Sequence, residues 1–221
     1  MKKLVIFGAS NILSDLFDCA LANDLHLAKL VTHLPEDANA RNLSLADRLR
    51  AFGRFAQIPA VQALDDFIPG DDEVYLLGPT TPTREVLALE LKKRFALRFD
   101  TLLHPTAYVS RMSSLGEGCF IGANSVIGPG AVLGEHVFVN RGVTIGHDTH
   151  IGPYSRIQPG ANLGGLSRIG RGVTVAIGAT LIERLVVGDR AFIGAGAVAT
   201  SDIANDELVL AVPAKVRKSL A

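Results

Sequence analysis

Aliphatic residues recur at every sixth position through the second half of the chain. Fifteen positions spaced by six residues, from Val109 to Ile193, are all Leu, Ile or Val. Small or β-branched residues mostly stand two positions earlier, and glycine follows directly in ten cases. A six-residue period is typical of a solenoid, because neither strands nor helices keep that phase. The pattern predicts a triangular β-helix with three hexads per turn, aliphatic side chains on the axis, and the following Gly or Asn at a corner where φ is positive.

Strand and helix signals alternate through the first half of the chain. Apolar runs predict strands over 3–8, 28–34 and 73–78, and apolar residues at helical spacing predict helices over 12–24, 43–53 and 81–96. We expect Gly53 to end the second helix, and the third to begin with Thr81 as its cap and Pro82 as its first residue. This alternation favours a small, Rossmann-like parallel sheet with helices.

Glycine is distributed unevenly, which predicts two domains. Four of the 22 glycines lie in residues 1–105 and the other 18 follow Pro105. Such an abrupt change of composition is typical of a domain boundary. We therefore expect an α/β domain over 1–104 and an all-β domain over 105–221.

Charge and cysteine content exclude several classes of protein. Lys plus Arg equals Asp plus Glu, at 22 each, so the chain lacks the positive charge that nucleic acid or anionic membrane would require. Cys19 and Cys119 are too few for a disulfide framework, which favours a reduced, cytoplasmic setting. The apolar run at residues 4–8 is too short for a signal peptide and is interpreted as a buried strand. No segment is long and apolar enough to span a membrane.

The segment 144–152, with the sequence TIGHDTHIG, carries the candidate chemistry of the repeat domain. His147 and Asp148 are adjacent, and His150 follows. Histidine can accept a proton near neutral pH, and a neighbouring carboxylate stabilises the imidazolium that forms. We interpret His147 as functional, and His136 and His150 as ordinary solvated surface residues.

The hexads, the corner glycines and the closing segment VPAK at 212–215 resemble the left-handed β-helix, hexapeptide-repeat acyltransferases. The α/β first half and the junction LLHPTAYVS at 102–110 are similar to the sugar O-/N-acetyltransferases of the sialic acid O-acetyltransferase and UDP-4-amino-sugar N-acetyltransferase type. The resemblance implies a left-handed parallel β-helix, a homotrimer, and acetyl-CoA bound along the seam between neighbouring β-helices. It also implies that the α/β domain holds the acceptor, in bacterial polysaccharide biosynthesis.

The resemblance also implies roles for individual residues. His147 would be the general base, with Asp148 raising its basicity. Gly165 is 18 residues, or one predicted turn, after His147 and would lie beneath it, so its N–H is a candidate donor to the oxyanion. The remaining candidates for binding acetyl-CoA are Arg156, Ile177, Ala195 and Lys215.

The acceptor is expected at the ends of the strands of the α/β domain. The candidates are Gly8, Ala9, Ser10, Asn11, Thr32 and Gly78. The chain departs from the family here, because relatives have a glycine-rich first loop with its own His and paired Asp residues after the second strand. A different way of holding the nucleotide and a different acceptor both remain open.

Four functions remain open from the sequence. The first is acetyl transfer to an amine of a nucleotide-linked amino sugar, and the second is transfer to a sugar hydroxyl, as on sialic acid. The third is a zinc lyase similar to the γ-carbonic anhydrases, but one and two turns before His147 stand Pro129 and Arg111, so His ligands do not converge and no metal is expected. The fourth is a trimeric binding protein without catalysis.

Overall fold

The structure is a computed structural model that describes residues 2–36 and 43–220. It divides into two compact units. The first comprises Met1–Thr80 and Val86–Asp100, and the second comprises Thr81–Glu85 and Thr101–Ala221. Among the described residues, no helix combines the length and apolar character needed to cross a bilayer.

The first unit is built on a four-stranded parallel sheet with helices. Its elements are β1 Lys3–Phe7, α1 Leu13–Ala22, β2 His26–Thr32, α2 Leu45–Phe52, β3 Ala60–Ala63, a 3-10 turn Leu64–Asp66, β4 Glu73–Leu77 and α3 Arg84–Phe95, whose first two residues belong to the second unit. The strand order is β3-β2-β1-β4. The buried residues include Leu4–Phe7 of β1, one of the two inner strands, and Phe7 packs edge-on against Phe67 at 4.9 Å between ring centroids.

These elements confirm the predicted α/β class and correct it in two places. The sequence missed β3, because this short edge strand is mostly exposed and has no apolar run. The expected third strand is therefore β4. Helix α3 begins at Arg84 rather than at Pro82, because the Arg84 N–H closes a preceding turn onto the Thr81 carbonyl at 2.9 Å. Gly53 follows the last residue of α2, as expected.

The second unit is a three-sided parallel β-helix of two-residue strands. Face 1 contains β5 Leu102–Leu103, β8 Phe120–Ile121, β11 Phe138–Val139, β14 Arg156–Ile157, β17 Thr174–Val175 and β20 Phe192–Ile193. Face 2 contains β6 Tyr108–Val109, β9 Val126–Ile127, β12 Thr144–Ile145, β15 Asn162–Leu163, β18 Thr180–Leu181 and β21 Val198–Ala199. Face 3 contains β7 Ser114–Leu115, β10 Val132–Leu133, β13 His150–Ile151, β16 Arg168–Ile169 and β19 Val186–Val187. The antiparallel strands β22 Glu207–Leu210 and β23 Lys215–Ser219 close face 1.

The register confirms the predicted turn of three hexads. Ile145 pairs with Ile127 in the preceding coil and with Leu163 in the following coil, so equivalent residues stack 18 positions apart. The aliphatic residues of successive hexads form one continuous buried core. Buried hydroxyls also link the coils: Ser125 donates to the Asn140 carbonyl at 2.7 Å and accepts from the Val143 N–H at 3.2 Å, so its polar atom is satisfied inside the core.

The expected reason for the repeat's glycines is wrong. The glycine that directly follows the aliphatic residue does not have positive φ. Positive φ occurs instead three positions after the aliphatic residue, as at Asp148 (φ 54°) and Gly160 (φ 68°). Glycine follows the aliphatic residue because the next coil lies against it. A Cβ on Gly152 would be 2.5 Å from the carbonyl carbon of Gly170, and one on Gly128 would be 2.9 Å from the His147 nitrogen.

The two kinds of glycine predict different costs of substitution. Gly152→Ala forces a Cβ into the backbone of the next coil, and we expect a loss of about 3 kcal/mol or more. Gly160→Ala meets no atom within 4 Å, so it carries only the strain of a left-handed conformation, about 1 kcal/mol. Chemical denaturation of both variants measures the difference. A Gly160→Ala chain that loses more stability than the Gly152→Ala chain contradicts this explanation of the repeat.

Candidate active site

His147 and Asp148 form a hydrogen-bonded pair at the corner that follows β12, between faces 2 and 3. The Nδ1 of His147 lies 2.9 Å from the Oδ2 of Asp148, and the two side chains are 55% and 56% exposed. The backbone of Asp148 is fixed in a left-handed conformation by its N–H, which donates to the Pro129 carbonyl at 2.9 Å. A carboxylate only accepts, so Nδ1 donates and the Nε2 of His147 carries a lone pair that can take a proton.

Gly165 lies directly beneath the imidazole, where the turn length predicted it. A Cβ on Gly165 would be 2.7 Å from the Nε2 of His147, so only glycine leaves room for the ring in this position. The Leu166 N–H donates to the His147 carbonyl at 2.8 Å and joins the two coils at this corner. No hydrogen bond from the Gly165 N–H occurs within residues 2–36 and 43–220, and Gly165 itself is buried beneath the imidazole.

Gly165→Ala is expected to displace the imidazole and to lower turnover about tenfold or more, because a small misplacement of a catalytic group has a large cost. Its φ is not positive, so the backbone accepts alanine. Steady-state kinetics of Gly165→Ala, His147→Ala and the double variant separate this cause from general destabilisation. Gly165→Ala should cost little once His147 is already alanine. An equal loss in both backgrounds contradicts a role through His147.

The other candidates for binding acetyl-CoA lie elsewhere on the β-helix. Ile177 and Ala195 are exposed at the corner between faces 1 and 2, whereas His147 lies at the corner between faces 2 and 3. The two groups thus occupy opposite edges of face 2. One chain does not bring them together at one point.

Arg156 and Lys215 are both associated with face 1. Arg156 lies in β14, where its Nε donates to the Thr174 hydroxyl at 3.0 Å, and burial lowers the pKa of its guanidinium. Lys215 begins β23 and is exposed. The guanidinium of Arg156 can therefore offer its remaining N–H groups to an anion or a carbonyl.

The prediction that His136 is a surface residue is wrong, whereas His150 is exposed as expected. His136 is only 1% exposed and stacks on Tyr154, with 5.1 Å between ring centroids. The corner that holds both rings is covered by residues 81–85 of the same unit, where Arg84 donates to the His136 carbonyl. The six-residue repeat does not predict that residues 81–85 cover this corner.

Arg84 is a buried arginine that sequence reasoning did not single out. It is 4% exposed, and its guanidinium donates to the carbonyls of Thr81 and Ser155 at 3.0 and 3.1 Å. Burial, followed by repulsion from Arg156, lowers the pKa of Arg84 to about 9. The carbonyls that accept from Arg84 belong to residues 81–85 and to the β-helix. We therefore infer that Arg84 holds residues 81–85 against the β-helix.

The first unit contains a cavity of about 230 Å³ at the ends of β1 and β2. Its apolar wall consists of Ala9, Leu13, Leu34, Pro35, Leu43 and Leu45. Its polar lining consists of Ser10, Asn11, His33, Glu36 and Arg48. Three predicted acceptor residues, Ala9, Ser10 and Asn11, therefore line the cavity. His33, Glu36 and Arg48 were not predicted.

Gly8, Thr32 and Gly78 do not line this cavity. Gly8 has φ 83°, and a Cβ there would lie 2.8 Å from the ring of His33 and from Pro79. A Cβ on Gly78 would overlap the Gly8 carbonyl, so both glycines are needed for the close packing of the β1 and β4 ends. Ser10 reinforces this contact by donating to the Gly78 carbonyl at 2.7 Å, and the Thr32 hydroxyl donates to the Gln62 carbonyl.

Known proteins share the repeat and the fold of this chain. Residues 112–147 and 130–165 match the family described as bacterial transferase hexapeptide (six repeats). Residues 112–165 of this chain therefore carry the six-residue repeat that the family is named for. No curated protein is significantly similar to this chain in sequence.

Solved structures share the fold of this chain over nearly its whole length. The acetyltransferase domain of PglB from Neisseria gonorrhoeae FA1090, in complex with acetyl coenzyme A, is 25% identical with a TM-score of 0.81, covering 98% of this chain and 99% of that chain. PerB from Caulobacter crescentus, in complex with CoA and GDP-perosamine, is 22% identical with a TM-score of 0.80, covering 99% and 98%. These similarities confirm the predicted resemblance and the left-handed β-helix.

The described residues, 2–36 and 43–220, contain no group of three or more His, Cys, Asp or Glu side chains arranged to hold a metal ion.

Proposed function

We propose that this chain moves the acetyl group of acetyl-CoA to an amine of a nucleotide-linked amino sugar in bacterial glycan synthesis. The observation that carries the proposal is the His147–Asp148 pair held over Gly165, because it places an exposed proton acceptor directly above a buried glycine whose N–H can act as a donor. Similarity to the PglB domain, which holds acetyl coenzyme A, and to PerB, which holds CoA and GDP-perosamine, supports the donor and the class of acceptor.

The residues of the corner suffice for general base catalysis. As the amine nitrogen attacks the thioester carbonyl, the Nε2 of His147 accepts the proton that the nitrogen loses, and Asp148 stabilises the imidazolium through Nδ1. The Gly165 N–H donates to the oxyanion that develops on the carbonyl oxygen. Collapse of the tetrahedral intermediate breaks the carbon–sulfur bond, and the departing CoA sulfur takes the proton from His147.

We further propose that acetyl-CoA binds between two copies of the chain in a homotrimer. Ile177 and Ala195 lie on the opposite edge of face 2 from His147, so one chain does not enclose the donor by itself. A neighbouring copy would supply the second wall and bring the two edges into one channel. In this arrangement Arg156 and Lys215 offer donors to the carbonyls or phosphates of CoA.

The domain over 1–104 would hold the acceptor, and the cavity of the first unit is the place that fits it. The cavity combines aliphatic walls with a few polar groups, which is typical of small-molecule sites. Ala9, Ser10 and Asn11 belong to this site in the proposal. Gly8, Thr32 and Gly78 support it indirectly by shaping the ends of the strands.

Thermal denaturation of the full chain against a panel of ligands tests the proposal. Acetyl-CoA and one family of nucleotide sugars should each raise the melting temperature, because a ligand of the native state stabilises it by mass action. The panel includes UDP-, GDP- and dTDP-sugars, free sialic acid, and zinc with a chelator. A shift with sialic acid favours transfer to a hydroxyl. A melting temperature that acetyl-CoA leaves unchanged and that a chelator lowers contradicts the proposal.

A further inference from the structure

We propose that Gly130 is a positioning residue for acetyl transfer, because it leaves the space that one oxygen of the Asp148 carboxylate occupies and so holds that carboxylate against His147. This role deepens the proposed function and rests on it. The observation that carries it lies one coil before the His147–Asp148 pair. A Cβ built on Gly130 would overlap the Oδ1 of Asp148 and lie 3.1 Å from its Cγ. Only glycine therefore admits the carboxylate in its present orientation.

The left-handed backbone at this corner does not by itself require glycine. Gly130 has φ 71°, and the residues that follow it in the stack at steps of 18 have the same conformation with side chains: Asp148 (φ 54°), Leu166 (φ 63°) and Arg184 (φ 62°). Of these four stacked residues, Gly130 alone lacks a side chain, and it is the one that lies against the carboxylate of Asp148. The carboxylate, rather than the backbone conformation, therefore accounts for this glycine.

The carboxylate of Asp148 has few other restraints. The Asp148 N–H donates to the Pro129 carbonyl at 2.9 Å, which fixes the backbone on the preceding coil. The Oδ2 lies 2.9 Å from the Nδ1 of His147, and within residues 2–36 and 43–220 no hydrogen bond reaches Oδ1. A carboxylate turns easily about the bond between its Cβ and Cγ, because this torsion has broad minima. The bond through Oδ2 and the space at Gly130 therefore set its orientation together.

The orientation of the carboxylate decides which nitrogen of His147 carries the proton. While Oδ2 accepts from Nδ1, the neutral imidazole keeps its lone pair on Nε2, the atom that takes the proton of the amine in the proposed reaction. A methyl group at position 130 would turn the carboxylate of Asp148 away from Nδ1. Part of the His147 rings would then carry N–H at Nε2 and could not act as a base.

Steady-state kinetics of Gly130→Ala test this role. We expect kcat to fall about tenfold or more with little change in KM for acetyl-CoA, because the proton of the imidazole is misplaced while the donor site is intact. Gly172→Ala is the matched control, since Gly172 also has positive φ (65°) but lies at the corner between faces 3 and 1. A Cβ there would make ordinary contacts at 3.6 Å with Arg190 and Pro82, so its kcat should match that of the unmodified chain.

Two further measurements separate positioning from general destabilisation. In the Asp148→Ala background, Gly130→Ala should cause no further loss of kcat, because the atom that it displaces is gone. NMR correlation spectra of the ring nitrogens in alkaline buffer, where histidines are neutral, give the tautomer without any substrate, and His147→Ala identifies the signal. The unmodified chain should carry N–H at Nδ1, and Gly130→Ala should shift part of the population to N–H at Nε2.

A Gly130→Ala chain that does not fold, keeps the tautomer of the unmodified chain or loses the same activity in both backgrounds overturns the role of Gly130. An equal loss of kcat in Gly172→Ala also overturns it. Because the tautomer is measured without acetyl-CoA or acceptor, the two proposals fail separately. A tautomer shift in a chain that transfers no acetyl group retains the positioning of Asp148 and removes the proposed function. Acetyl transfer that Gly130→Ala leaves unimpaired retains the function and removes the role of Gly130.

Discussion

Replacing His147 by alanine is expected to lower the turnover number for acetyl transfer by about 10²- to 10⁴-fold, the usual contribution of a general base. The loss should appear mainly in kcat, because the imidazole acts on the proton released during attack. Stability should change little, since the side chain is 55% exposed and leaves the core of the β-helix intact. Steady-state kinetics and thermal denaturation of the same preparation measure both effects.

His150→Ala is the matched control for this prediction. His150 lies three residues later on β13 and is also exposed, but the carboxylate of Asp148 is hydrogen-bonded to His147. We expect its turnover to match that of the unmodified chain. If His150→Ala were as impaired as His147→Ala, or if His147→Ala kept full activity, the assignment of the base would be wrong.

Replacing Ile145 by aspartate is expected to prevent folding. Ile145 is 2% exposed and lies between Ile127 and Leu163 in the core, where an ionised carboxylate would have no partner. Such a group costs several kcal/mol even after the structure relaxes, and native proteins are stable by only about 5–15 kcal/mol. Circular dichroism and size-exclusion chromatography measure the outcome.

Thr144→Asp is the matched control for Ile145→Asp. Thr144 precedes Ile145 on β12 but is exposed, so the same charge is placed outside the β-helix. The substitution removes the hydrogen bond from the Thr144 hydroxyl to the Asn162 side chain, which is worth about 1 kcal/mol, and the chain should still fold. An unfolded Thr144→Asp chain beside a folded Ile145→Asp chain would mean that the register of the repeat is inverted.

The β-helix was predictable because its information is local and repeated. Each hexad specifies its own strand, and the stacking of Ile145 on Leu163 follows from three hexads per turn. Two features depend on contacts that no hexad encodes. His136 is buried because residues 81–85 cover its corner, and β3 pairs with β2 without a strong pattern of its own.

The candidate site was predictable only where its residues are adjacent or one turn apart. His147 and Asp148 are neighbours in the sequence, and Gly165 follows from the turn length. Arg48 and Glu36 could not be predicted together, because they come from different elements that meet only after the sheet has formed.

A signal for the positions of Ile177 and Ala195 was nevertheless present in the sequence. Ile177 follows His147 by 30 residues, which is five hexads and not a whole number of turns. It therefore had to lie at a different corner from His147. This spacing agrees with the donor site between two copies of the chain that the family resemblance implies.

The most direct test of acetyl transfer by His147 is to incubate the full chain with acetyl-CoA and UDP-, GDP- or dTDP-linked amino sugars, and to follow free CoA thiol and product mass. We expect an N-acetylated product and an equal amount of CoA for at least one amino sugar, with a rate about 100-fold or more lower for His147→Ala. Absence of any acetylated product with every acceptor, or a rate that His147→Ala leaves unchanged, would contradict acetyl transfer by His147.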